Sequence, residues 1–200
     1  MTKRIVVMIS GGGTNLQALI DAIADEKIQN TEIGAVVSNK KSAYGLTRAQ
    51  NANIATLYFP AKPYNQANKS REVYDADLAE QVKGFAPDLI VLAGWMRILT
   101  SAFLDHFPNQ VINLHPALPG QFAGINAIER AFEAYELGEI THSGCMVHYV
   151  IPEVDAGPVI LDVIVPFATN DTMDRFSQRL HDAEHQLIVK ATQIALKNLD

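Results

Sequence analysis

An asparagine and a histidine stand two residues apart in Val111-Ile112-Asn113-Leu114-His115-Pro116. In an extended segment that spacing sends both side chains to one face, and Pro116 stops the strand by removing a donor and fixing the backbone. An amide that can donate to an oxyanion, beside an imidazole that can move protons, suits acyl-type transfer. The same residues also suit a polar strand end solvated by water. A carboxylate beside His115 would orient it and favour its protonated form. Asp155, in Val154-Asp155-Ala156-Gly157-Pro158, is the candidate, although an Asp in such a setting also serves the turn itself.

A second constellation opens the chain. Ile5-Val6-Val7-Met8-Ile9 runs into Ser10-Gly11-Gly12-Gly13-Thr14-Asn15-Leu16, a strand, a glycine loop and the start of a helix. Glycines let successive N–H groups converge at the positive end of the helix dipole, where an anion binds. A Walker A loop needs Gly-Lys-Ser/Thr, and no lysine follows until Lys27. A dinucleotide fingerprint needs a glycine where Leu16 stands and an acidic residue after the second strand, where Ser38-Asn39-Lys40 is found. A single phosphate monoester is the better fit, and a plain tight turn is the alternative.

Three further signals are weaker. His181 and His185 are one helical turn apart, but the run His181-Asp182-Ala183-Glu184-His185 lacks the His-Glu-x-x-His pattern and a third ligand, so no metal is expected. Cys145, beside Met146 and Val147, reads as a packed, inert thiol. His148 alternates with Met146 and Val150, and periodicity leaves open whether it faces the core or the site.

These residues need a scaffold, and the pattern supplies a parallel α/β sheet in which short β-branched runs alternate with helical segments. Strands are expected at residues 4–9, 32–38, 56–59, 88–92 and 111–114, with helices at 15–25, 43–52, 71–84 and 101–106. Ser70 and Thr100 are candidate N-caps. Pro116, Pro119, Gly120 and Gly124 make a breaker-rich loop before a helix at 127–137. Strands at 144–150 and 158–166 flank Glu153-Val154-Asp155-Ala156-Gly157 as a hairpin, and a long amphipathic helix from about Thr172 follows, capped by Asn170, Asp171 or Thr172. In open sheets of this kind ligands bind at the C-terminal strand edge, where Asn113 and His115 fall.

The chain has 200 residues, 16 Lys+Arg against 22 Asp+Glu, a net charge of −6 and 48% apolar positions. The basic residues are scattered, so no nucleic-acid footprint is expected. The longest apolar run, Leu89 to Met96, is far short of the about 20 residues that cross a bilayer. The strand starting at Arg4 leaves no room for a signal peptide, and a single cysteine suits a reducing compartment. A cytoplasmic protein of one domain over 1–200 is expected.

Taken together, Ser10-Gly11-Gly12-Gly13-Thr14-Asn15-Leu16-Gln17-Ala18, Val91-Leu92-Ala93-Gly94-Trp95-Met96-Arg97-Ile98-Leu99, Asn113-Leu114-His115-Pro116 and Val154-Asp155-Ala156-Gly157-Pro158 resemble the phosphoribosylglycinamide formyltransferases of the folate-dependent formyltransferase superfamily. The resemblance runs from Ile5 to about Ile188. It implies a Rossmann-like open twisted sheet, mostly parallel with an antiparallel C-terminal hairpin and helices on both faces. It also implies formyl transfer from 10-formyltetrahydrofolate to the amine of glycinamide ribonucleotide, with no metal, in a monomer or homodimer. Asn113, His115 and Asp155 match the catalytic trio, with Asp155 keeping His115 cationic, and His148 matches a histidine on the adjoining strand. Gly12, Gly13, Thr14 and Asn15 match the phosphate loop, Arg71 an arginine near that phosphate, and Glu184 a ribose contact. Trp95, Met96, Arg97, Ile98, Leu99, Val150 and Asp155 match the folate site.

The chain departs from the family pattern at Ala117-Leu118-Pro119-Gly120, where most members read Ser-Leu-Leu-Pro, and its loop up to Gly144 is a few residues longer than in compact members. Contacts of that loop with folate are therefore the part of the expectation most exposed to correction. Hydrolysis of formyltetrahydrofolate is the nearest rival chemistry, since water can replace the amine while the trio is kept. A non-catalytic binder of a phosphorylated metabolite explains the glycine loop but gives no reason for the trio. A nicotinamide oxidoreductase is disfavoured by Leu16 and Ser38.

Overall fold

The computed structural model describes residues 2–199, so the ends of the expected 1–200 domain, residues 1 and 200, lie outside the described residues. The elements run β1 (Lys3–Ile9), α1 (Thr14–Ala24), β2 (Thr31–Ser38), α2 (Tyr44–Asn51), β3 (Thr56–Tyr58), α3 (Lys62–Gln66), α4 (Arg71–Lys83), β4 (Leu89–Leu92), α5 (Ser101–Leu104), β5 (Val111–His115), α6 (Ala127–Glu136), β6 (His142–Tyr149), β7 (Val159–Pro166) and α7 (Met173–Lys197). The seven strands form one sheet in the order β3-β2-β1-β4-β5-β6-β7. The first five are parallel, and β6 and β7 are antiparallel to their neighbours.

Alternation along β1 explains why the sheet is covered on both sides. Ile5, Val7 and Ile9 pack into one core with Leu16 and Leu19 of α1 and Phe176, Leu180 and Ile188 of α7. Val6 and Met8 point the other way, into a core with Tyr74, Leu78 and Val82 of α4 and with Phe103 and Phe107. A strand buried on both faces reads as a continuous apolar run, which is why β1 and β4 are evident from sequence.

The chain moves outward from β1 through β2 to β3, then returns to lay β4 on the other side of β1. In open α/β sheets, ligands bind at the C-terminal strand ends beside such a reversal. Parallel register holds Met8 opposite Leu92 and Leu92 opposite Asn113. The segments after β1, β4 and β5 therefore leave the sheet at one edge.

Element types agree with the sequence pattern and most ends fall within two residues of expectation, with three corrections. Lys62–Gln66 forms a short helix, α3, that the pattern does not announce, because it is polar and begins with Pro63 in its first turn. Thr100 occupies the N-cap position of α5, but among the described residues its hydroxyl makes no capping bond; its N–H donates to Asp75 Oδ2 at 2.8 Å instead. The strand expected from Gly144 begins at His142. Ser70 does cap α4, accepting from the Val73 N–H at 3.5 Å. Thr172 caps α7, accepting from the Arg175 N–H at 3.4 Å.

Candidate active site

Strand β5 ends with Asn113 and His115 on one face, and the β6–β7 turn carries Asp155 back to them. His115 Nδ1 lies 3.3 Å from Asp155 Oδ2. Asn113 Nδ2 donates to Asp155 Oδ1 at 3.2 Å. His148 faces the site rather than the core: it pairs with Asn113 in the antiparallel register, and its Nε2 lies 3.4 Å from Asp155 Oδ1 and 3.3 Å from Asn113 Nδ2. Its Nδ1 donates to the Tyr149 carbonyl at 2.9 Å, which fixes the ring.

The turn that delivers Asp155 is locally constrained. Asp155 sits at φ 52°, in the left-handed region that Asp tolerates better than most residues. Two residues on, a Cβ at Gly157 would run into the Tyr149 carbonyl oxygen, so only glycine lets the turn fold down on the end of β6. The Gly124 N–H then donates to Asp155 Oδ2 at 2.8 Å, tying the breaker-rich loop to the same carboxylate.

Electrostatics assign different charge states to the pair. Burial favours a neutral Asp155, but His148, the Gly124 N–H and His115 outweigh it and hold the carboxyl below the usual carboxylate range. Burial dominates at His115 and pulls the imidazole below the ordinary histidine range; Asp155 and the Phe122 and Gln121 carbonyls favour the cation but do not prevail. Burial thus works against the cation that Asp155 favours at His115. At 3% exposure the ring is too poorly solvated to hold charge cheaply. Its Nε2 is buried without a hydrogen-bond partner among the described residues, which leaves a nitrogen able to take or give a proton.

The glycine loop lies at the same sheet edge. Gly13, at φ 73°, is the N-cap of α1, so Thr14 and Asn15 are its first helical residues, with N–H groups that have no carbonyl four residues back to bond. A Cβ at Gly13 would approach the Gly45 Cα to 2.7 Å. The loop is held from α2: Gly45 N–H donates to the Gly11 carbonyl at 3.1 Å, and Arg48 Nε donates to the Gly12 carbonyl at 2.9 Å. Asn15 Nδ2 donates to Glu184 Oε2 at 3.2 Å across 169 residues of chain, which brings these two expected site residues together. Arg71 is exposed at the start of α4, where its charge acts on Asp75.

Between the two constellations runs the segment after β4. Trp95 and Leu99 are buried in the core, whereas Met96 and Ile98 are exposed. Trp95 Nε1 and Arg97 Nε are buried and have no hydrogen-bond partner among the described residues; the Arg97 guanidinium lies 4.6 Å from the Tyr74 ring centre. Val150, at the end of β6, donates its N–H to the Val111 carbonyl at 2.8 Å. Ser10 links the segment to the glycine loop: its hydroxyl accepts from the Met96 N–H at 2.9 Å and donates to Asn39 Oδ1 at 2.7 Å.

Ser10, Gly45, Arg48 and Gly124 were not signalled as positioning residues by the sequence pattern. Gly45 alone carries a hint, a glycine in the first turn of a helix, which often marks a close backbone approach. Cys145 is buried and its thiol is pushed up to about 12, chiefly by burial, in accord with an inert role.

The formyl transferase family matches residues 3–192 of the chain. The chain belongs to that family. Among its relatives, a phosphoribosylglycinamide formyltransferase of Dictyostelium discoideum is 47% identical, over 97% of this chain and 98% of its own length. One of Escherichia coli is 43% identical, over 92% of this chain and 82% of its own. Among solved structures, this formyl transferase resembles glycinamide ribonucleotide transformylase 1 from Symbiobacterium toebii, with a TM-score of 0.90 and 36% identity over 98% of this chain and 89% of the other.

Proposed function

We propose that this formyl transferase moves the formyl group of 10-formyltetrahydrofolate to the amine of glycinamide ribonucleotide, a step of purine biosynthesis, by direct attack through a tetrahedral intermediate. The observation that carries this reading is the meeting of Asn113, His115 and Asp155 within 3.3 Å at the sheet edge. The glycine loop at that edge and the names of the relatives support the substrate class.

The folate supplies an activated formyl carbon and a nitrogen that leaves. Its site is the segment 95–99 with Val150 and Asp155. Exposed Met96 and Ile98 give it an apolar surface, and the pterin reads mostly backbone groups of the segment. The substrate phosphate binds the N–H groups of Gly12, Gly13, Thr14 and Asn15, with Arg71 beside it and Glu184 on the ribose.

Attack by the amine puts negative charge on the formyl oxygen, and Asn113 turns one N–H towards it. His115, neutral at rest, takes a proton from the attacking nitrogen at Nε2. The new imidazolium is stabilised by Asp155 at Nδ1 and returns the proton to the leaving nitrogen, directly or through water. A base held neutral near physiological pH is better suited to the first transfer than a resting cation. His148 holds Asp155 and Asn113 in register. The reaction runs in the cytoplasm, in a monomer or homodimer.

Incubation with 10-formyltetrahydrofolate, with and without glycinamide ribonucleotide, tests the reading through the appearance of deformylated folate. Amine-dependent turnover is expected. Amine-independent turnover would make the protein a hydrolase, and no turnover despite sugar-phosphate binding would make it a binding module.

A further inference from the structure

Glu184 is 5% exposed and lies one hydrogen bond from the loop that receives the phosphate. A buried carboxylate there opposes an anion unless its charge is answered. The answer comes from its own helix. His181, one turn earlier on α7, places Nδ1 3.0 Å from Glu184 Oε2, the oxygen that also accepts from Asn15 Nδ2 at 3.2 Å. A carboxylate oxygen only accepts, so His181 Nδ1 carries a proton in this contact and the Asn15 amide is turned with its nitrogen towards Glu184. Asn15 Oδ1 then points away, buried and unpaired among the described residues, as an acceptor awaiting a donor.

We propose that His181 is a positioning residue of the substrate site: it holds Glu184 through Oε2 and cancels its charge beside the N-terminus of α1, leaving Glu184 Oε1 and Asn15 Oδ1 to accept from the hydroxyls of a phosphorylated sugar. The inference rests on the reading of the glycine loop as a phosphate site. It gives a role to a residue that the sequence singles out only as half of a His181–His185 pair without a metal.

Charge on this histidine makes sugar-phosphate affinity depend on pH. The hydrogen bond to Glu184 raises the His181 imidazole above its ordinary value; burial works against this, and the charges of Glu184 and Asp182 add to it. From the sheet, the charges of Glu184 and of Asp162 in β7 act on the Cys145 thiol of β6. That thiol stays neutral up to about 12, so it adds no charge to the His181–Glu184 contact near neutrality. Because the folded value of His181 is raised, the cation is present below the ordinary value near 6.5 and is lost as pH rises through the raised one.

Calorimetric titration of wild type, His181→Gln and His181→Lys with ribose 5-phosphate and with glycinamide ribonucleotide, from pH 6.5 to 9, tests the proposal. Comparing variants at each pH cancels the ionisation of the ligands. At pH 6.5 the Gln variant should bind roughly tenfold more weakly than wild type, the scale of one charge-assisted hydrogen bond. The two should converge by pH 9, and the Lys variant should stay tight throughout. A Gln variant equal to wild type at pH 6.5, or weaker by the same factor at every pH, overturns the proposal. Formyl transfer to glycinamide ribonucleotide with affinity indifferent to His181 sinks this inference and keeps the proposed function. A pH-dependent loss with ribose 5-phosphate, without any formyl transfer, does the reverse, and a wild type that binds neither sugar phosphate overturns both.

Discussion

His115 Nδ1 and Asp155 Oδ2 stand 3.3 Å apart, one at the last residue of a parallel strand and the other in the turn of the antiparallel hairpin. The contact joins the two halves of the sheet at the edge where ligands of open α/β folds bind. It also sets a carboxyl held below its usual range against an imidazole that burial pulls towards the neutral form, so a proton arriving at Nε2 meets a counter-charge already in place.

Removing that counter-charge should slow the reaction without dismantling the turn. In Asp155→Asn an oxygen at the Oδ2 position still accepts from Gly124, but the imidazolium loses its counter-charge. Turnover of 10-formyltetrahydrofolate with glycinamide ribonucleotide should fall by roughly 10² or more, as should that of His115→Ala. Rates near wild type in both variants would sink the mechanism.

The lowered His115 value predicts a stability slope with a definite sign. Between that folded value and the ordinary one near 6.5 the unfolded chain binds more protons than the folded one, so stability rises with pH across this window and is lost on acidification. His115→Gln removes the group. Urea midpoints at pH 7 and pH 5 should therefore differ less in the variant than in wild type, and an equal or larger difference would contradict the burial argument.

The legible parts of this molecule are those whose signal is local. Ile5-Val6-Val7-Met8-Ile9 and Leu89-Ile90-Val91-Leu92 read as two-sided buried strands, and Asn113, His115 and the glycine loop lie at strand ends where spacing alone places them. The rest depends on contacts between distant segments. The facing of His148 is settled by its register with Asn113, and the direction in which His115 is shifted depends on how much of the fold covers it. The Asn15–Glu184 bond joins the first helix to the last. Arg48 carries no local mark, since an arginine on a short helix looks like any solvated cation until the helix is docked on the glycine loop. The short helix α3 stays hidden because a polar stretch has no apolar period to read.

Gly157→Ala tests how tightly the Asp155 turn must be folded. The new methyl meets the Tyr149 carbonyl oxygen, a backbone atom that cannot step aside as a side chain can. Accommodation should lift the turn, withdraw Asp155 from His115 and cost about 1–3 kcal/mol of stability, the usual range for overpacking. Turnover and urea midpoint should drop together. A variant with both at wild-type level would show that the turn has slack.

Cys145 should resist alkylation in the folded protein. Its thiol is fully buried and pushed up to about 12, so the reactive thiolate is scarce at pH 8. Mass spectrometry after iodoacetamide should find it unmodified in buffer and carboxamidomethylated in denaturant. Rapid native labelling would mean that the core around β6 opens.

Arg48 offers a test of the glycine loop that leaves the reacting groups alone. Its Nε donates to the Gly12 carbonyl at 2.9 Å and its Nη1 to Gln17 Oε1 at 3.1 Å, so one guanidinium ties the loop to the first turn of α1. In the proposed site the loop holds an anion through N–H groups whose directions must be set before the ligand arrives, and a looser loop spends binding free energy on ordering itself. Arg48→Leu removes both bonds while keeping much of the aliphatic stem. Affinity for glycinamide ribonucleotide should weaken about five- to tenfold, the scale of one net hydrogen bond. Affinity for the folate, whose proposed site is the segment 95–99, should change less. Equal losses for the two ligands would show that Arg48 supports the crevice as a whole, and no loss for either would show that the glycines and Gly45 hold the loop unaided.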